Sequence, residues 1–149
     1  MDRRRALLNS KLPPLYLFKE GEGMLVTVTS KSSNITINNN YISYDLYRNI
    51  YLNVKQSFTG YKKLCFEGKA GKYRNDEGTV FYQSASVGYG STALTKAGIP
   101  QTSQKLPNDR GIVALDISAL SGDYYVQFGE TAYTSQGSYI DYIYNIWLE

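Results

Sequence analysis

Four carboxylates near the C-terminal end, Asp116, Asp123, Glu130 and Asp141, are the residues best suited to acid–base chemistry in this chain. A pair of them could serve a glycosidase, which needs one acid and one base or nucleophile flanking the scissile bond. Their spacing demands no such pair. Asp123 and Asp141 fall on the polar positions of alternating stretches, where a solvated sheet face accounts for them equally well. The chain contains no histidine. That removes the commonest general base, the Ser-His and Cys-His nucleophile pairs and nearly all zinc sites. The single cysteine, Cys65, can form no internal disulfide. It sits between Leu64 and Phe66 with no activating neighbour, so it reads as a small strand residue. A chain without disulfides suits synthesis in a reducing cytosol. The sequence therefore points to a protein that is not an enzyme and needs no cofactor.

Metal and phosphate chemistry find equally little support. Asn75-Asp76-Glu77 and Asn108-Asp109 could contribute oxygens to a calcium site, but turn formation explains both. No metal site is assigned. Gly88-Tyr89-Gly90 lacks the spacing, lysine and following helix of a phosphate loop. Asn34-Ile35-Thr36 matches a glycosylation acceptor by chance. The aromatic residues are the stronger candidates. Tyr47, Tyr51, Tyr125, Tyr139 and Trp147 lie on stretches that also carry polar groups. Flat rings beside Asn and Asp suit a sugar-binding face, and they suit a protein–protein contact equally.

The elements that must position these residues are strands. Tyrosine numbers 15 and glycine 13 in 149 residues, a composition that favours pleated surfaces and tight turns. The length fits one domain with a real core. Ile112–Ile117, Asp123–Gly129 and Tyr139–Leu148 read as core strands, with Ser118–Gly122 as a one-turn plug between the first two. In the second, Tyr124, Val126 and Phe128 share a face opposite Asp123 and Gln127. In the third, Ile140, Tyr142, Tyr144, Ile146 and Leu148 form an apolar row at period 2 that is expected to face the core.

Earlier in the chain, Leu15–Gly21 and Met24–Thr29 flank a Gly21-Glu22-Gly23 turn. Asn34–Asn38 and Tyr41–Tyr44 flank the Asn38-Asn39-Asn40 turn, where Asn tolerates positive φ. Arg48–Lys55 points Ile50, Leu52 and Val54 one way, and Tyr61–Glu67 points Leu64 and Phe66 inward. Gly68–Gly78 reads as a polar hairpin tip. Thr79–Val87 reads as a strand with Phe81, Ala85 and Val87 on one face. Gly88–Arg110 is expected to be a long loop, either functional or covered by a partner. The sum is an all-β, antiparallel two-sheet sandwich, with jelly-roll topology the preferred arrangement. No apolar run approaches the ~20 residues of a membrane span.

Residues 1–14 form a separate basic arm, and residues 15–149 the sandwich domain. Of 16 basic and 13 acidic side chains, four and one lie within residues 1–12, so the arm carries the whole net charge and the body is neutral. A nucleic-acid-binding domain is expected to carry its charge as a stripe on the folded body, so no nucleic-acid partner is assigned. The arm has no apolar h-region and does not read as a secretory signal. Arg3, Arg4 and Arg5, with Leu7 and Leu8, suit docking onto a neighbouring subunit.

Both ends of the chain carry a family resemblance. Arg3-Arg4-Arg5-Ala6-Leu7-Leu8 followed by Leu15-Tyr16-Leu17-Phe18-Lys19-Glu20-Gly21 resembles small accessory virion proteins of tailed phages and prophages of Gram-positive bacteria. Leu115–Val126 and Ile143–Glu149 are similar to the same group and to β-sandwich modules that bind carbohydrate. The resemblance implies a non-enzymatic protein made in a bacterial cytoplasm and displayed on a tail, baseplate or capsid surface. Other virion proteins and further copies of the chain are its expected partners, with a cell-surface glycan as a further ligand. A glycan-binding module is the alternative reading.

If the arm docks in trans, deleting residues 1–12 should leave the thermal midpoint of the domain unchanged and abolish incorporation into particles. Attachment through the arginines should also weaken in high salt. A fall in midpoint on truncation would instead place the arm in the core.

Overall fold

The computed structural model describes residues 12–96, 98–130 and 138–149. The arm's docking residues Arg3, Arg4, Arg5, Leu7 and Leu8 lie outside the described residues. Strand-forming runs separated by Gly, Asn and Pro turns give β1 (Leu15–Lys19), β2 (Gly23–Met24), β3 (Ser30–Lys31), β4 (Ile35–Ile37), β5 (Ile42–Asp45), β6 (Ile50–Ser57) and β7 (Lys63–Lys69). The second half contributes β8 (Gly71–Arg74), β9 (Val80–Gln83), β10 (Ser86–Gly90), β11 (Thr102–Lys105), β12 (Gly111–Asp116), β13 (Asp123–Glu130) and β14 (Ile140–Leu148). No helix is present among the described residues.

The strands form two packed antiparallel sheets. The first follows the order β12-β7-β14-β1-β2, with β5 paired to β14 beyond the end of β1 and β4 paired to β5. The second follows the order β11-β10-β13-β6-β3. Taking β1, β6, β7, β10, β11, β12, β13 and β14 as the principal strands, the chain crosses between sheets at every step but β10–β11. Every partner is antiparallel. These interleaved crossings are those of a jelly roll. β8 and β9 form a separate hairpin that leaves and rejoins the sandwich.

The core lies between the two sheets. Leu52, Val54, Val126 and Phe128 from one sheet meet Leu64, Phe66, Ile146 and Leu148 from the other, all at most 2% exposed. Tyr44 and Phe128 stack across it at 4.8 Å. The alternation expected for β6, β7 and β13 is seen: Ile50, Leu52, Leu64 and Phe66 point inward. The plug after β12 is a turn closed by a hydrogen bond from the Leu120 amide to the Ile117 carbonyl, 2.9 Å.

Two β-bulges change the facing of side chains. In β1 the bulge falls at Leu17, so the consecutive residues Leu17 and Phe18 are both fully buried. In β14 the extra residue is Tyr144, since Ile143 pairs with Gly68 and Asn145 with Glu67. The apolar row expected to run unbroken from Ile140 to Leu148 is therefore broken. Ile146 and Leu148 face the core, whereas before the bulge Asp141 and Ile143 do so. Ile140, at 41% exposed, and Tyr142 belong to the outer face. One extra residue shifts a period-2 pattern by half a repeat.

Other expectations need correction. Gly88–Arg110 is not strandless: β10 runs into it and β11 lies within it. Thr79–Val87 is two strands, and although Ala85 and Val87 are buried, Phe81 is exposed. The segment Met24–Thr29 leaves the sheet after Met24, and β7 extends to Lys69 before the hairpin begins. The Asn38–Asn40 turn uses no positive φ. It is an Asx turn, in which Asn38 Oδ1 accepts from the Asn40 and Tyr41 amides.

Aspartate in place of Ile146 should unfold the domain, because an unpaired buried charge costs at least several kcal/mol. Ile140→Asp should change stability by no more than about 0.5 kcal/mol, as for an ordinary surface position. Urea denaturation of both variants tests the bulge. Equal, large losses would mean that the two residues share the inner face.

Candidate functional site

The five aromatic residues singled out by sequence do not form one face. Tyr139 is 4% exposed and belongs to the core, beside Tyr73. Tyr47 is exposed in the turn after β5. Tyr51 and Tyr125 lie on the outer side of the second sheet, opposite Gly129 and Lys55 respectively. Trp147 lies on the outer side of the other sheet, stacked on Tyr16 at 5.8 Å. Sequence periodicity assigns a residue to one side of a strand, but not a strand to a sheet.

Between Tyr51 and Tyr125 the outer surface is occupied by the chain itself. Gln127 and Asn53, expected at solvated positions, are at most 1% exposed. The segment between β10 and β11 folds over them. Asn53 donates to the Leu94 carbonyl at 2.7 Å and accepts from the Leu94 amide at 2.8 Å. Gln127 Nε2 donates to the Thr92 carbonyl at 2.6 Å and to Asn53 Oδ1 at 2.9 Å. Gly129 makes this possible, since a Cβ there would collide with the Gly98 carbonyl. The long connection thus covers part of its own sheet.

The carboxylates are equally dispersed, and each has a structural engagement. Asp116 accepts from the Ser118 hydroxyl and amide, which lower its pKa. Asp123 faces Lys55 at 4.0 Å. Glu130, 6% exposed, pairs with Lys105 at 3.0 Å. Asp141 is fully buried, contrary to the solvated position expected for it. Its two oxygens accept from the Gly71 amide at 2.7 Å and the Ala85 amide at 2.8 Å. These amides stand at the two ends of the β8–β9 hairpin, so one carboxylate closes the hairpin onto β14. A Cβ on Gly71 would meet Tyr139 and Ile140 backbone atoms at 2.7 and 2.8 Å, so only glycine brings that amide close enough. Burial pushes the Asp141 pKa up to about 7, against the lowering effect of the two amides. Tyr44, enclosed nearby, is raised well above its usual value by burial and then by the Asp141 charge. A raised carboxylate pKa is a common mark of a general acid. Here both oxygens are held by backbone inside the sandwich, out of reach of substrate. Cys65 is also buried, which raises its thiol to about 11 and keeps it protonated.

The outer side of the first sheet is aromatic and charged. The bulge turns Tyr142 and Tyr144 outward, stacked at 6.3 Å with an interplanar angle of 8°. Arg110 lies over the Tyr144 ring at 3.9 Å and bridges Glu20, at 2.8 Å, and Glu67, at 3.4 Å. Its hydrogen bond lowers the Glu20 pKa. Asn145 joins them by donating to Glu67 at 2.7 Å and accepting from the Glu20 amide at 3.0 Å.

Where the β8–β9 hairpin rises beside this face, a cleft of about 370 Å³ opens, lined by Lys69, Lys72, Tyr82, Asn108, Asp109, Ile140 and Tyr142 among others. A second cleft of about 280 Å³ shares Tyr82 and Asn108 with it. The loop before β12 is held to the hairpin's base by bonds from the Ala70 amide to the Pro107 carbonyl, 2.8 Å, and from the Leu106 amide to Ser84 Oγ, 3.0 Å. A larger depression of about 490 Å³ beside Lys62, Lys63 and Asp116 contains no aromatic ring.

None of the cleft's rings was singled out as a ligand candidate from sequence. Tyr142 read as core because the bulge was not legible, and Lys69 and Lys72 read as a polar hairpin tip. Asn108 and Asp109 read as turn residues or calcium ligands. Among the described residues no group of three or more Cys, Asp or Glu is placed to hold a metal ion. Asn75 Oδ1 is instead taken by the Glu77 and Thr79 amides. Comparison with protein-family models, curated proteins and solved structures finds no match.

Replacing Asp141 with Asn should cost about 1–3 kcal/mol, because its NH2 must face one of the two amides it now accepts from. The Asp141 pKa is higher in the folded state, about 7, than that of an ordinary aspartate, about 3.9. The folded state therefore binds the extra proton, and stability from this group is greatest below pH 4 and lost as pH rises through 7. Urea midpoints between pH 4 and 8 should follow that trend in the wild type, and the trend should flatten in Asp141→Asn. An unchanged slope in the variant would mean that Asp141 does not set it.

Proposed function

We propose that the chain is a non-enzymatic jelly-roll module that binds carbohydrate in the cleft between Tyr82 and Tyr142. In this reading it is displayed on a phage or prophage particle and held there by its basic N-terminal arm, so that the cleft reads the host surface. One observation carries the binding part: an open cleft with tyrosine rings on two walls and amide, carboxylate and ammonium groups at its edges. A pyranose offers an apolar C–H face to such a ring and hydroxyls to such edges. The cleft volume lies in the lower part of the range of small-ligand sites. The dispersal of the carboxylates favours binding over hydrolysis.

The particle context is supported by the resemblance of Arg3–Leu8 with Leu15–Gly21 and of Leu115–Val126 with Ile143–Glu149. It agrees with a body of balanced charge carrying a basic arm.

A glycan array of the isolated domain tests the binding part. Tyr142→Ala and Tyr82→Ala should each weaken a positive signal by about tenfold, the loss of roughly 1.4 kcal/mol of binding. Trp147→Ala and Tyr125→Ala should leave it intact. A signal that depends on Trp147 or Tyr125 instead would move the site elsewhere. No signal, with normal incorporation into particles, would leave a purely structural virion role.

A further inference from the structure

The cleft holds two lysine–tyrosine pairs, one on each wall. Lys69 lies directly across the strand ladder from Tyr142, and Lys72 directly across from Tyr82. All four side chains line the same space. The Lys69 ammonium stands over the Tyr142 ring at 5.3 Å.

Three neighbouring cations are engaged. Arg110 is bridged by Glu20 and Glu67, and Lys105 binds Glu130 and the Ser84 carbonyl. Lys19 faces Glu22. Lys69 and Lys72 make no ion pair among the described residues, although each projects into a concavity. Asp109 is the only carboxylate lining it among the described residues, which leaves an excess of one positive charge among them. An ammonium held over a ring, with a second ammonium on the facing wall, presents donors to an anion, and the Tyr82 ring stands beside them to pack a sugar. Asn108 and Asp109 supply acceptors for its hydroxyls.

We infer that the cleft selects acidic saccharides, with the carboxylate or phosphate of the sugar between Lys69 and Lys72 and its ring against Tyr142 or Tyr82. This inference rests on the carbohydrate reading and adds the charge of the ligand to it.

Calorimetric titration of the full chain with three probes tests it: a galacturonic acid trisaccharide, the galactose trisaccharide of the same linkage, and glucose 1-phosphate. The acidic trisaccharide should bind about tenfold more tightly than the neutral one at low salt, and the difference should shrink as salt rises. Binding of glucose 1-phosphate but not the uronate would assign the anion as phosphate, and the reverse would assign it as carboxylate. Either result supports the inference. Lys69→Gln and Lys72→Gln should each weaken binding of the preferred acidic probe by about three- to tenfold, and weaken the neutral one by less. Both lysines lie outside the core, so folding is expected to persist, and the urea midpoint verifies it. Equal binding of acidic and neutral trisaccharides would overturn the inference and keep the carbohydrate reading. No binding of any probe, with an empty glycan array, would overturn both.

Discussion

The carboxylate of Asp141 is the constraint on which the rest of the candidate site depends. It is buried at the end of β14, where an isolated charge is costly. Two backbone amides make it tolerable, and those amides belong to the first residue of β8 and the residue after the β9–β10 junction begins, Gly71 and Ala85. Together with the Tyr73–Tyr139 contact, this carboxylate closes the hairpin onto the sandwich. The hairpin is one wall of the cleft, so the side group that stabilises the fold also sets the width of the opening. An amide in place of the carboxylate offers one acceptor where two are needed.

The second wall depends on the bulge at Tyr144. An uninterrupted β14 would place Ile140, Tyr142 and Tyr144 on the side of Ile146 and Leu148. With one residue inserted, the strand buries Ile143 against the core and turns Tyr142 and Tyr144 outward. Their rings are then covered by the cations of neighbouring strands, Lys69 and Arg110. Arg110 is fixed by two carboxylates, whereas Lys69 is held by a ring alone. That difference in partners separates a structural cation from one available to a ligand.

The two outer surfaces of the sandwich have different fates. On the second sheet, Asn53 and Gln127 are sealed by the segment after β10, in a hydrogen-bonded layer that leaves neither side chain unpaired. Buried amides of this kind are stable only when satisfied. The first sheet keeps its rings, charges and cleft open to solvent. This asymmetry is why the aromatic residues of the second sheet contribute less to the proposed site than those beside the hairpin.

Much of the fold was legible in the residues themselves. Alternation at Ile50–Val54, Leu64–Phe66 and Tyr124–Phe128, with turns at Gly and Asn, specifies an all-β sandwich, because burial of one face of a pleated strand needs a period of two. The lack of histidine and the single cysteine, between Leu64 and Phe66, limit the chemistry from sequence alone. The facing of β14, the burial of Asp141 and the assembly of Lys69, Lys72, Tyr82 and Tyr142 into one cleft were decided only by tertiary structure. A bulge is set by pairing with a neighbouring strand, here Gly68–Glu67 of β7, and leaves no mark in the pattern of its own strand. Asp141 reads as surface because its partners are backbone amides 70 and 56 residues away, which carry no side-chain signal. The residues of the cleft lie on β7, β8, β9, β14 and the loop before β12, and only the closure of the jelly roll brings those strands together.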